Sequence, residues 1–165
     1  METLFPGLAA MRNFHPLIVH FPVALLVLAF VFQAVVVLGK RDTLQGSASG
    51  LLYLGALAAL PTALTGLLAE DNLEKSAIFT PAIGAALEFH STVMYIVTGL
   101  AVALAVLAFW KRTRMTRGMA AVLLAGLLVL VALLGAGADR GGQLVYQYGI
   151  GGQKMTTATP QRPGP

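Results

Sequence analysis

The sequence predicts an all-α integral membrane protein, a four-helix bundle. Three observations predict it. The 165 residues are 57% hydrophobic and 11% charged, where an ordinary soluble domain carries about 25% charged residues. The mean hydropathy is +0.78. Four separate apolar runs are each long enough to span a hydrocarbon core about 30 Å thick, which takes roughly 20 residues. A soluble globule, a disordered chain and a collagen-like repeat are excluded by the same figures. The chain has no cysteine, so disulfides, thiolate metal sites and cysteine nucleophiles are excluded too.

The first span is expected from about Pro16 to Leu38, ended by Gly39-Lys40-Arg41-Asp42. It is too long for a removable signal peptide, and no cleavage signature brackets it. Pro16 suits a first helical turn, where its missing N–H is not needed. Pro22 lies inside the helix, leaves the carbonyl of Ile18 without its partner and predicts a kink. The second span runs from about Gly50 to Leu68 and is ended by Glu70-Asp71-Asn72. Pro61 lies within it beside Thr62 and Thr65. The third runs from about Gly84 to Trp110 and stops at Lys111-Arg112-Thr113-Arg114. The fourth runs from about Met119 to Gly137, where Asp139-Arg140-Gly141-Gly142 is expected to turn the chain. Leu144-Val145-Tyr146 would then pack back over the mouth of the bundle. The spans and this flank form one unit, residues 1–152, and residues 153–165 are expected to be a disordered polar tail. Leu, Ala and Val dominate the spans, so helices satisfy the backbone in lipid. Alternating ten-residue barrel strands are not visible. Small residues such as Gly55, Ala59, Gly66, Gly99 and Gly126 allow close helix approach.

Charge sets the expected orientation. The loops joining spans 1–2 and 3–4 hold Lys40, Arg41, Lys111, Arg112, Arg114 and Arg117 against the single acid Asp42, a net +5. The other side holds Arg12, Lys75, Arg140, Lys154 and Arg162 against six acids, a net −1. Basic short loops favour the cytoplasm. An inner-membrane protein with both termini in the periplasm is therefore expected. The overall +4 charge reads as topology signal, and no basic, aromatic-interleaved stripe suggests nucleic acid.

Polar chemistry is sparse. The three histidines, His15, His20 and His90, all fall toward the outward ends of spans 1 and 3. Intramembrane ionisable groups usually face a bundle interior and serve function. Counted from Pro16 and Gly84, His20 and His90 lie at similar depth, roughly 6 and 9 Å down their helices. Those two are the expected ligand pair. His15 and His20 are about 140° apart around a regular helix, so His15 is the lip residue of the two. Arg140 and Arg12 are placed to meet an anionic group nearby. Glu88 points away from His90, and Met94 shares its face one turn below.

At these residues the chain resembles an uncharacterised bacterial membrane-protein family. Its members open on a His-Pro-Leu-x-Val-His-Phe-Pro motif, here His15 to Pro22. They carry Thr-Gly-Leu at the end of span 2, here Thr65 to Leu67, and a histidine in span 3, here His90. They close on Gly-Gly-x-Leu-Val-Tyr-x-x-Gly, here Gly141 to Gly149. The resemblance covers about Asn13 to Gly152. It implies four spans, and some relatives look fused to cytochrome c-type domains. It implies no settled activity.

Three functions fit. The leading one is a b-type haem protein for electron transfer, with His20 and His90 as axial ligands and Arg140 or Arg12 near the propionates. Paired imidazoles saturate iron and favour electron transfer, and bundles build such sites from facing helices. Its partners would be the lipid bilayer, periplasmic electron carriers or other membrane subunits. The second is a transition-metal site of His15, His20 and His90 binding copper, zinc or iron. The third is a structural or anchoring subunit of a larger complex. No nucleophile–base pair, phosphate loop or metalloprotease motif occurs, so the chain is not expected to be an enzyme. No inverted repeat suggests a transporter.

Overall fold

The computed structural model describes Leu4 and residues 14–150, and all regular structure among them is helical. A single turn α1 (His15–Ile18) leads into α2 (His20–Leu38). A 3₁₀ turn (Asp42–Leu44) precedes α3 (Gln45–Glu74). Then come α4 (Pro81–Lys111), a second 3₁₀ turn (Arg112–Arg114) and α5 (Arg117–Tyr146). Four segments are long and apolar enough to cross a membrane: His15–Leu38, Asp42–Glu74, Pro81–Arg114 and Arg117–Tyr146. The expected tail, residues 153–165, lies outside the described residues.

Local chemistry sets the helix ends. Pro81 opens α4 behind Thr80, whose hydroxyl accepts the amide of Ile83 at 3.3 Å. Thr116 does the same for α5, accepting from Met119 at 3.2 Å. Each hydroxyl satisfies one of the amides left over in a first turn. Lys40 closes the first span in the left-handed region at φ 54°, a conformation that costs an L-residue about 1–2 kcal/mol.

Two expected boundaries move. α3 runs through Glu70-Asp71-Asn72 to Glu74, and α5 runs through Asp139-Arg140-Gly141-Gly142 to Tyr146. The glycine turn expected at Gly141 is helix instead. Polar residues end a membrane span without ending a helix, because the helical hydrogen bonds are local and remain available in water. The turn comes at Gly149, at φ 67°, where the amide of Ile150 returns to the carbonyl of Leu144 at 2.9 Å. Leu144 is buried with Leu73, Ile83 and Leu87 and closes that end of the bundle. Val145 and Tyr146 are exposed.

The helices form a ring. α2 packs on α3 and α5, and α4 packs on the same two, which leaves α2 and α4 on one diagonal. The central core runs from Leu26, Ala29 and Leu52 through Ala101 and Leu104 to Leu127 and Leu130. Large apolar residues such as Leu57, Leu64, Val106 and Leu128 are exposed on the outside, as a lipid-facing surface requires.

The buried positions repeat. On α2 they include Pro22, Leu26, Ala29 and Gln33; on α4 they include Val97, Ala101, Leu104 and Ala108. Each pair is 75 positions apart. The same shift carries buried Ala48, Leu52, Ala59 and Thr62 of α3 onto buried Leu123, Leu127, Leu134 and Gly137 of α5. The two hairpins, α2–α3 and α4–α5, therefore share one burial register. They differ in complementary ways: Leu26 matches Ala101, and Ala29 matches Leu104. A large residue in one hairpin stands where the other has a small one, and all four are buried in the central core. This repeat is direct, so the helices it relates run in parallel.

Candidate functional site

The site is built twice, once in each hairpin. Pro22 supplies no amide to the carbonyl of Ile18, and regular helical bonding is interrupted at Val19 between α1 and α2. Val19 itself keeps helical dihedrals, φ −57° and ψ −27°, and its amide bonds the His15 carbonyl at 3.0 Å, so the turn stays continuous with α2 and lays His15 against α3. Its Nδ1 lies 3.2 Å from the carbonyl oxygen of Thr62 and 3.3 Å from the hydroxyl of Thr65. That hydroxyl donates to the same Thr62 carbonyl at 2.9 Å. The His15 ring covers Gly66, where an added Cβ would come within 3.2 Å of Cε1.

His90 repeats the arrangement on α5. Its Nδ1 lies 2.7 Å from the carbonyl oxygen of Gly137. Its ring covers Gly141, where a Cβ would meet Cε1 at 2.9 Å and Nδ1 at 3.1 Å. In both seats the carbonyl acceptor stands four residues before the glycine, one turn along the same face. Histidine and acceptor are 47 positions apart in both. The 75-position shift carries His15 to His90, Thr62 to Gly137 and Gly66 to Gly141.

These contacts fix the chemistry of both rings. A carbonyl oxygen only accepts, so each Nδ1 carries the hydrogen and donates it. In the neutral ring the lone pair then resides on Nε2. Backbone carbonyls hold ligating histidines in this way, fixing tautomer and ring orientation. Both rings are half-buried.

The family model described as "Predicted membrane protein (DUF2231)" matches residues 11–154, which take in all four helices and both histidine seats. The chain belongs to the DUF2231 family. No curated protein and no solved structure matches it.

The remaining candidates of this DUF2231 chain fall differently. His20 is exposed, and the repeat makes it the counterpart of Tyr95, not of His90. Counting depth from helix starts paired His20 with His90, but α4 begins at Pro81 and reaches further out than α1. Helix ends do not mark a common depth here. Arg140 is exposed one residue before Gly141, with its guanidinium 5.4 Å from the Phe89 ring and 2.9 Å from the side-chain oxygen of Gln143. Arg12 lies outside the described residues. Glu88 is exposed. The methyl of Met94 packs against Gly137.

The polar group that sequence reasoning passed over is Glu70. Its carboxylate accepts from the hydroxyls of Ser91 and Tyr95, both at 3.2 Å, across the α3–α4 seam. Also missed were the acceptor carbonyls of Thr62 and Gly137 and the role of Gly141 as a ring seat. One signal could have found them: His15 to His90 and Gly66 to Gly141 are equally spaced in the sequence. Among the described residues, no three His, Cys, Asp or Glu side chains cluster as metal ligands.

Proposed function

We propose that this membrane chain holds a b-type haem at the histidine end, with His15 and His90 as the axial pair, and serves electron transfer rather than catalysis. The observation that carries the reading is the repeated seat. Two imidazoles at equivalent positions each have Nδ1 committed to a backbone carbonyl, the state in which Nε2 coordinates. The donor set also discriminates between groups. A metal ion held by side chains alone asks for three or four protein ligands, and no such cluster occurs among the described residues. A tetrapyrrole brings four nitrogens of its own and asks for two imidazoles.

The chain's part is to hold and orient. Thr62 and Gly137 hold the Nδ1 atoms through their carbonyls, and Gly66 and Gly141 leave the rings room against α3 and α5. Arg140 provides positive charge on the His90 side for a propionate. Haem so bound supplies one-electron exchange. Basic short loops favour the cytoplasm; with the opposite end there, the histidine end would face the periplasm and electron carriers or neighbouring membrane subunits.

The test is the reduced-minus-oxidised visible spectrum of the purified full-length protein. A sharp α-band is expected, abolished in His15→Ala and in His90→Ala and retained in His20→Ala. A band that survives His15→Ala and disappears in His20→Ala would overturn the assignment. Stoichiometric metal without a chromophore would transfer the site to a bare ion, and neither signal would leave a structural subunit. A reporter fused after Pro165 that is active only in the cytoplasm would invert the orientation.

A further inference from the structure

The two hairpins diverge at the end opposite the histidines. There α4 finishes in Phe109-Trp110-Lys111, followed by Arg112 to Arg114. A cleft of about 410 Å³ opens at this point, lined by Trp110, Lys111, Thr113, Arg114, Thr116 and Met119. Two cations and two hydroxyls thus converge, and no acidic side chain lines the cleft. The ion pair described at this end joins Arg117 to Asp42 at 3.6 Å and does not involve Lys111 or Arg114. The ammonium of Lys111 stands 4.5 Å above the Trp110 ring. The hydroxyl oxygen of Thr116 already accepts the amide of Met119, which leaves its hydrogen to donate.

Below the cleft runs an apolar strip. Val106 is 61% exposed, Phe109 56% and Trp110 75%, and their spacing puts them on one face of α4. The strip lies within a segment apolar enough to span lipid. Polar cations above and bare apolar surface below match a molecule with an anionic head and hydrocarbon tails. The repeat shows that this is not an inherent feature of the hairpin end. Shifting by 75 positions carries Trp110, Lys111 and Arg114 onto Val35, Val36 and Gly39, which offer neither charge nor aromatic ring.

We propose that this cleft seats the headgroup of an anionic phospholipid, with the phosphate between Lys111 and Arg114 and the chains along Trp110, Phe109 and Val106. Basic pockets at the ends of membrane helices bind acidic lipid headgroups through such pairs of charge and hydrogen-bond donors. The site is independent of what the histidines bind.

The chain contains one tryptophan, so Trp110 reports on its own lipid neighbours. The full-length protein is reconstituted in phosphatidylcholine vesicles. Brominated phosphatidylglycerol or brominated phosphatidylcholine is then titrated in, and the lipid fraction at half-maximal quenching is read. Phosphatidylglycerol is expected to quench at about 25-fold lower fraction, from two basic charges at about 1 kcal/mol each. That preference should fall roughly fivefold with each of Lys111→Gln and Arg114→Gln, the effect of one basic charge at a membrane surface. It should persist in Lys111→Arg, which keeps the charge, and in Lys75→Gln at the opposite end. Equal quenching by the two lipids, or a preference that survives the double Gln variant with helicity unchanged, overturns the proposal. So does a preference abolished by inorganic phosphate at matched ionic strength, because the seat would then take a free anion.

Discussion

Substituting Gly141 by alanine tests the geometry of the histidine seats without reference to any ligand. A Cβ at this position would sit 2.9 Å from Cε1 and 3.1 Å from Nδ1 of His90. The ring cannot yield sideways and keep its 2.7 Å hydrogen bond to Gly137. Losing that bond costs about 0.5–1.5 kcal/mol. The helix gains about 1 kcal/mol from replacing glycine with alanine, so the net change in stability is about zero. Gly99→Ala supplies the control, because no heavy atom lies within 4 Å of its added Cβ. It should show the full gain of about 1 kcal/mol. Gly66→Ala should fall between them, since the contact with His15 is a milder 3.2 Å. Unfolding in mixed micelles ranks the three variants. Imidazole ¹⁵N spectra show whether the His90 Nδ1–H signal has shifted. If Gly141→Ala is stabilised as much as Gly99→Ala with the His90 signal in place, the seat described here is wrong.

Two other substitutions probe the far end of the bundle. Gln33 is 1% exposed and donates to the carbonyl of Ala120 at 3.0 Å, while Gln45 donates to its side-chain oxygen at 3.1 Å. Interhelical polar contacts in membranes contribute about 0.6 kcal/mol on average and up to about 1.7. Gln33→Leu, which keeps the volume, should therefore lower unfolding stability by about 1 kcal/mol. A loss above about 3 kcal/mol would mean that the amide pair organises the fold rather than decorating it. Lys40→Gly should raise stability by about 0.5–1 kcal/mol, the relief of a left-handed L-residue less the added freedom of glycine. A drop instead would show that the Lys40 side chain holds the loop.

Much of the fold was legible because lipid imposes length and composition on a helix. The four spans, their order and the clustering of basic residues at one end all follow from where Leu, Ala and Val stop and Lys and Arg begin. Helix ends outside the apolar runs were not legible. Glu70-Asp71-Asn72 and Asp139-Arg140 read as breaks, since charges are rare inside spans, yet a helix continues past a membrane boundary wherever its own amides and carbonyls stay paired. The histidine end was legible as a place, but the equivalence of the two histidine seats was not. His15 looked like a lip residue because a regular helix separates it from His20, and the structure interrupts regular helical bonding at Val19. The register that pairs His15 with His90 is a relation between two hairpins, so no single span carries it.

That register also weighs against the histidines as simple helix fasteners. Each seat keeps a glycine inside a helix, which costs about 1 kcal/mol against alanine. Each returns a side-chain hydrogen bond of similar size, about 0.5–1.5 kcal/mol. The balance is near zero, whereas an alanine under a leucine would gain both propensity and packing. The hairpins elsewhere exploit that freedom. Leu26 and Ala101 interchange sizes, and so do Ala29 and Leu104. On the α3–α4 seam Glu70, Ser91 and Tyr95 stand where the matching positions hold Val145, Pro16 and His20. Surfaces elsewhere differ between the two halves. The pinned imidazole on its glycine is present in both, at a geometry that stability alone does not reward, and this is the feature on which the proposed axial pair rests.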